Sequence, residues 1–173
     1  MKHIVLSIVA TLGIFCAVLY TSCSKDACKG TTCFNKGTCV GGLCQCVTGI
    51  EGTNCEVVYR KRYANTYRGN TPNNVGHAKF NNTLTFQEGT DTTDFNKMTL
   101  VWFDTSGYAV TMPITLRDHS AAGSNFTVTE TTYGNKKYIG NGTVNANTAS
   151  LHLTETDVSG GVVYLTFSDF YKQ

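Results

Sequence analysis

Tyr108-Ala109-Val110-Thr111-Met112-Pro113-Ile114-Thr115-Leu116 decides the fold of this chain. Tyr108, Val110, Met112, Ile114 and Leu116 stand at alternate positions. Side chains along a strand point to opposite faces with period two, so this stripe describes a strand with one face in a core. The pattern recurs on both sides. Ala78, Phe80, Leu84 and Phe86 face one way, with Lys79, Asn81, Thr83 and Thr85 facing the other. Phe126 with Val128, Leu151 with Leu153, and Val163, Leu165 and Phe167 continue it. Residues 97–103 are apolar on both faces (Met98, Leu100, Trp102 against Val101, Phe103), which predicts a strand covered on both sides.

Turn formers separate these runs: Asp104-Thr105-Ser106-Gly107, Gly134-Asn135, Asn145-Ala146-Asn147 and Ser159-Gly160-Gly161. No window has sustained helical periodicity. The spacing predicts eight strands, at 63–69, 77–86, 97–103, 108–116, 125–131, 137–144, 149–155 and 162–171. Short connections make consecutive strands antiparallel neighbours. The expected fold is all-β, an eight-stranded antiparallel up-and-down barrel over residues 63–173, a closure that removes exposed edges. A two-sheet β-sandwich is the alternative.

Upstream the composition is different. The chain has eight cysteines, and Cys28, Cys33, Cys39, Cys44, Cys46 and Cys55 are separated by four, five, four, one and eight residues. Residues 28–56 hold few bulky apolar side chains (Phe34, Val40, Leu43, Val47 and Ile50 among them), too few for a core of their own. Three disulfides, each contributing about 2–4 kcal/mol, would hold such a segment together in an oxidising compartment. Six cysteines allow fifteen pairings. Zinc is the chemical alternative, but these gaps do not form paired tetrahedral ligand sets.

The run Cys44-Gln45-Cys46-Val47-Thr48-Gly49-Ile50-Glu51-Gly52-Thr53-Asn54-Cys55, with Asn35-Lys36-Gly37-Thr38-Cys39 before it, resembles the EGF-like module. The resemblance implies the pairs Cys28–Cys39, Cys33–Cys44 and Cys46–Cys55. Calcium-binding members carry acidic residues before the first cysteine and in the central hairpin. Here Ser24-Lys25-Asp26-Ala27 and Val40-Gly41-Gly42-Leu43 offer a single carboxylate, against the six to eight oxygens calcium takes.

Residues 1–22 read as an export signal: Lys2 and His3, then an apolar run from Ile4 to Tyr20, then small Thr21 and Ser22. The apolar run is shorter than the ~20 residues of a spanning helix. Cys16 leaves with the signal. Cleavage before Cys23 would leave its thiol at the new N-terminus. This resembles a bacterial lipoprotein signal, whose usual Leu three places before the cysteine stands here one place earlier, at Leu19. Ser24-Lys25-Asp26 is similar to the charged tract of Bacteroidota-type surface lipoproteins. The resemblance implies lipidation of Cys23, a tether at 23–27 and a membrane partner reached through the anchor, at the outer membrane and facing outward. An ordinary secretory signal with a free Cys23 is the alternative. Residues 57–62 then read as a basic linker, Tyr59-Arg60-Lys61-Arg62 being a solvated run leading into the first strand.

Chemistry-bearing patterns are few. Arg117-Asp118-His119-Ser120 holds acid, base and nucleophile types, but neighbours in one loop do not converge on one atom as a triad must. His77, His119 and His152 lie on no ligand-spaced motif. Asp91-Thr92-Thr93-Asp94 has too few carboxylates for calcium; Asp91-Thr92-Thr93 resembles a Bacteroidota O-glycosylation acceptor, and reads equally as a plain loop. The Asn-x-Thr triplets at Asn81, Asn125 and Asn141 matter only in a eukaryotic secretory pathway. No Gly-rich phosphate loop opens a helix. A net charge of +2 points away from nucleic acid. No cofactor is expected.

Ile139-Gly140-Asn141-Gly142-Thr143-Val144, with Leu151-His152-Leu153 and Val163-Tyr164-Leu165-Thr166-Phe167, looks like the end of a lipocalin-like meander. Three functions follow: a lipid-anchored surface protein that binds a protein or glycan without catalysis, a lipocalin-like carrier of a small apolar ligand, and an enzyme. Phe80, Phe86, Trp102 and Met112 are expected to fill the barrel, which favours the first. A carrier needs an interior of about 300 Å³ or more.

Overall fold

The structure, a computed structural model, describes residues 27–71, 79–103, 107–118, 120 and 122–173. Cys16, Cys23, His77, Ala78 and His119 lie outside the described residues, as does the side chain of Phe80. Four short strands build the N-terminal module: β1 (Thr38–Val40), β2 (Leu43–Gln45), β3 (Ile50–Glu51) and β4 (Val57–Val58). β1 and β2 pair antiparallel with Cys39 opposite Cys44, and β3 pairs with β4. Gly41 and Gly42 have φ of 60° and 87° and form the two-residue turn between β1 and β2. Positive φ at both turn positions matches the twist of a tight hairpin and is cheap only without a Cβ. Disulfides link Cys28 to Cys39, Cys33 to Cys44 and Cys46 to Cys55, with Cα separations of 5.9, 5.6 and 5.3 Å.

The remaining strands are β5 (Thr66–Thr71), β6 (Lys79–Glu88), β7 (Lys97–Phe103), β8 (Ala109–Leu116), β9 (Ser124–Tyr133), β10 (Lys136–Val144), β11 (Thr148–Asp157) and β12 (Val162–Lys172). Each pairs with the next, and β12 returns to β5 through Tyr171 opposite Arg68 and Lys172 opposite Tyr67. The result is a closed antiparallel barrel and not a sandwich. The first strand begins three residues later than the alternation suggests. Tyr59–Tyr63 instead coils into a 3-10 turn in which Tyr59, Arg60 and Tyr63 are buried, so the basic run packs against the barrel where charge alone suggests a solvated linker.

Inward positions hold the core. Tyr67, Leu84, Phe86, Leu100, Trp102, Met112, Phe126, Leu151, Phe167 and Phe170 are all within 1% of complete burial. Their rings interlock edge to face: Tyr67 on Phe86 at 5.5 Å, Phe86 on Phe126 at 5.4 Å, Trp102 on Phe167 at 5.2 Å and Phe167 on Phe170 at 5.9 Å. This is the favoured geometry for aromatic quadrupoles. Gly142 makes room for one of them, because a Cβ there would stand 2.5 Å from the Phe126 ring. A glycine inside a strand marks such an approach. On β7 the outer side chain Val101 is buried while Phe103 is 38% exposed, so two-sided cover extends over part of that strand only.

A bulge corrects the period on β12. The register against β11 shifts between Ala149 and Leu151, and Asp169 has φ of 58°. An extra residue in one strand reverses the side-chain parity beyond it. Phe167 and Phe170 therefore both point inward, while Tyr171 is exposed.

Candidate functional site

One end of the barrel, where β5, β7, β9 and β11 start and β6, β8, β10 and β12 finish, carries the disulfide module. The joint is a second apolar cluster: Ile50, Cys55 and Val58 of the module and Phe95 of the β6–β7 loop are buried together. Gly49 permits the contact. Its φ is +86°, and a Cβ on it would lie 2.6 Å from Asn96 Oδ1 and 3.0 Å from Phe95 Cβ.

Arg60 holds the loop. Its Nη1 donates to the carbonyls of Asp91, Asp94 and Lys97 at 2.9, 3.2 and 3.4 Å, and its Nε lies 3.6 Å from Glu88 Oε1. The guanidinium also sits over the Phe95 ring at 5.7 Å. One nitrogen serves the three carbonyls while Nε faces Glu88 and the guanidinium covers Phe95, a combination that a lysine ammonium, a compact point charge, does not reproduce. The loop is further tied by Asp91, whose Oδ1 accepts from Thr93 N, Thr93 Oγ1 and Asp94 N at 2.7, 2.6 and 3.1 Å. Those bonds, the Thr93 hydroxyl first, hold the Asp91 carboxyl well below the usual range. The hydrogen bond from Lys97 to Asp91 in turn pushes the lysine upward. Asp91-Thr92-Thr93-Asp94 is thus a hydrogen-bonded turn that presents Phe95 to the module.

Two concavities flank this joint. One, of about 280 Å³, is lined by Asp118, Ser120, Ser124, Asn125, Thr143 and Asn145, among others. The other, of about 330 Å³, is lined by residues 46–51 of the module and Tyr59. Tyr59 connects them: it lines the second, and its hydroxyl donates to the Ser120 carbonyl at the first. Arg62 stacks on the Tyr59 ring at 5.0 Å and pairs with Glu51. Tyr67 reaches the same end from inside, donating to the Asn145 carbonyl at 2.7 Å, and burial pushes its hydroxyl up to about 12. Burial likewise raises Tyr63. The Tyr67 hydroxyl stays a neutral donor at physiological pH and holds the Asn145 carbonyl at the groove wall.

In the Arg117–Ser120 segment His119 lies outside the described residues, and the carboxylate and the hydroxyl are each held by a neighbour. Asp118 accepts from the Asn125 amide, and the Ser120 hydroxyl donates to the Gly123 carbonyl at 2.8 Å. His152 is exposed on the outer face of β11. Among the described residues no three His, Cys, Asp or Glu side chains gather as a metal site, and no helix is long and apolar enough to cross a membrane.

The opposite end of the barrel interior is polar. Thr71, Asn82 and Glu155 are buried there, and Lys136 Nζ reaches Glu155 Oε1 at 2.7 Å. The Thr83 N–H donates to the Asn82 side-chain carbonyl at 2.9 Å. No chemical motif singles out Asn82 or Glu155, and Arg60 stands in a run whose charge suggests a solvated linker. The inward parity of Leu84 and Phe86 on β6, and of Leu151 and Leu153 on β11, extends to Asn82 and Glu155 and marks them. Nothing local marks Arg60, whose partners come from a loop more than thirty residues later. No protein-family model matches the chain, and neither a curated protein nor a solved structure matches it.

Proposed function

We propose that this chain is a lipid-anchored cell-surface protein that binds a protein or glycan partner and performs no catalysis, with Cys23 the acylated N-terminus of the mature form. One observation carries the reading: the barrel interior is occupied by its own interlocked rings, whereas grooves with mixed polar and apolar walls open outside it, at the joint with the module. Recognition is then a surface activity. The carboxylate, amide and hydroxyl groups of Asp118, Asn125, Thr143 and Ser120 offer both donors and acceptors to a polar partner. The disulfide module, EGF-like by its cysteine and glycine pattern, serves as the membrane-proximal stalk and one wall of this surface. A lipocalin-like carrier has the eight-stranded closed barrel in its favour and the filled interior against it.

Support for the anchor comes from cysteine arithmetic. Six cysteines are consumed in three disulfides, Cys16 belongs to the signal, and Cys23 is left over behind Thr21-Ser22. Acyl chains partition at about 0.8 kcal/mol per buried methylene, so two or three give stable attachment. The outer face of an outer membrane is the location this implies. Expressed in a bacterial host, the full chain should enter the detergent phase, and Cys23→Ala should move it to the aqueous phase. Unchanged partitioning would sink the anchor. For recognition, the lipid-free chain used as bait should capture a partner that the Asp118→Ala, Asn125→Ala double variant releases. Undiminished capture by that variant would place the binding face away from this groove.

A further inference from the structure

The β1–β2 hairpin presents two bulky apolar side chains to solvent with the barrel already seated. Val40 and Leu43 face each other across the turn and are 50% and 71% exposed. Two adjoining apolar side chains at the tip of a disulfide-held hairpin add nothing to a core there and are free to meet an apolar surface outside the molecule.

The start of the described chain lies against that tip. The Ala27 carbonyl stands so near Gly42 that a Cβ on the glycine would be 3.0 Å from its oxygen. The Cys28–Cys39 disulfide fixes the next residue to β1 with a Cα separation of 5.9 Å. Three residues separate Cys23 from Ala27, four Cα-to-Cα steps with a contour of at most about 14 Å even if fully extended. An acyl chain on Cys23 would therefore keep the hairpin within that distance of the bilayer interface. Charge agrees with this. Residues 27–48 contain Lys29 and Lys36, both exposed, and no Asp or Glu. Basic side chains near an anionic leaflet are drawn to it, and apolar tips enter the headgroup boundary.

We infer that Val40 and Leu43 at the β1–β2 tip dip into the lipid surface and, together with the Cys23 anchor, set the orientation of the whole chain on the membrane. The inference rests on the lipid-anchor reading and adds a second contact to it. Because the tether is short, the effective concentration of lipid at the tip is high, and two side chains suffice where they would not hold a free protein. The hairpin then fixes orientation, and the acyl chains supply the attachment.

The test uses the full lipidated chain in vesicles of phosphatidylglycerol and phosphatidylethanolamine with brominated acyl chains. Leu43→Trp places a reporter at the tip, and Tyr164→Trp places one on the exposed outer face of β12, where Tyr164 is 75% exposed. Trp102, the chain's one native tryptophan, is buried and gives both variants the same background, which also reports folding. The expected result is a blue-shifted Leu43→Trp emission, with its added signal quenched at least twofold by the brominated lipid and the Tyr164→Trp signal unquenched. A chain that floats with the vesicles but shows no quenching at Leu43→Trp overturns the inference and leaves the anchor intact. A chain that does not float overturns the anchor and the hairpin contact together.

Discussion

Leu165→Asp is expected to destabilise the barrel by about 4 kcal/mol or more, while Tyr164→Asp, one residue away, costs less than about 1 kcal/mol. Leu165 is 1% exposed, points into the barrel from β12 and lies opposite Leu153 of β11. An aspartate there loses the apolar contacts of the leucine and buries a carboxyl among Leu153, Phe167 and their neighbours. The group then either stays charged without a partner or takes up a proton, and both outcomes are unfavourable. Tyr164 points outward, and its replacement sacrifices only strand preference and some surface packing. Chemical denaturation of both variants reads the difference. Similar losses would mean that β12 is covered on both faces, contrary to a single-walled barrel with its core inside.

The second large effect belongs to Arg60. Arg60→Ala should cost about 3 kcal/mol and loosen the module from the barrel, because it strips three loop carbonyls of their donor and removes the cation over Phe95. Arg60→Lys should fall between, retaining the charge without the fork. Arg62→Ala is the control. Its ion pair with Glu51 is about half exposed, and such pairs contribute at most about 1 kcal/mol. Hydrogen exchange at Ile50 and Tyr59, whose amides bond to Val47 and Gly49 carbonyls at the joint, should accelerate in Arg60→Ala alone. Equal behaviour of the two alanine variants would show that the joint depends on the apolar cluster and not on the buried guanidinium.

The contrast between these residues shows what the sequence makes legible. Strand positions are readable because alternation is a local property. Residues 97–103 and the start of β12 at 162 agree with the pattern to the residue, and the other barrel strands extend it by a few residues or begin later. The inward turn of Phe170 is not readable, because one αL residue at Asp169 reverses the parity and nothing in Ser168-Asp169-Phe170 announces it. Arg60 is hidden for a different reason. A run of four basic and aromatic residues looks solvated until a distant loop supplies carbonyls for one of its cations. The grooves share that origin: their walls come from the ends of β10 and the β8–β9 loop, or from the module and the 3-10 turn. Such a surface exists only after the barrel closes, and no local spacing encodes it.

Whether the barrel is a solid platform or a container is the claim on which the functional account turns, and Trp102 reports on it directly. It is the single tryptophan of the chain, fully buried between Tyr138 and Phe167. Titrating the lipid-free chain with a fluorescent fatty acid while following Trp102 emission asks whether anything apolar enters. The filled interior predicts no saturable change in Trp102 emission and no stoichiometric energy transfer to the probe. Saturable one-to-one binding that quenches Trp102 would contradict it and make the protein a carrier.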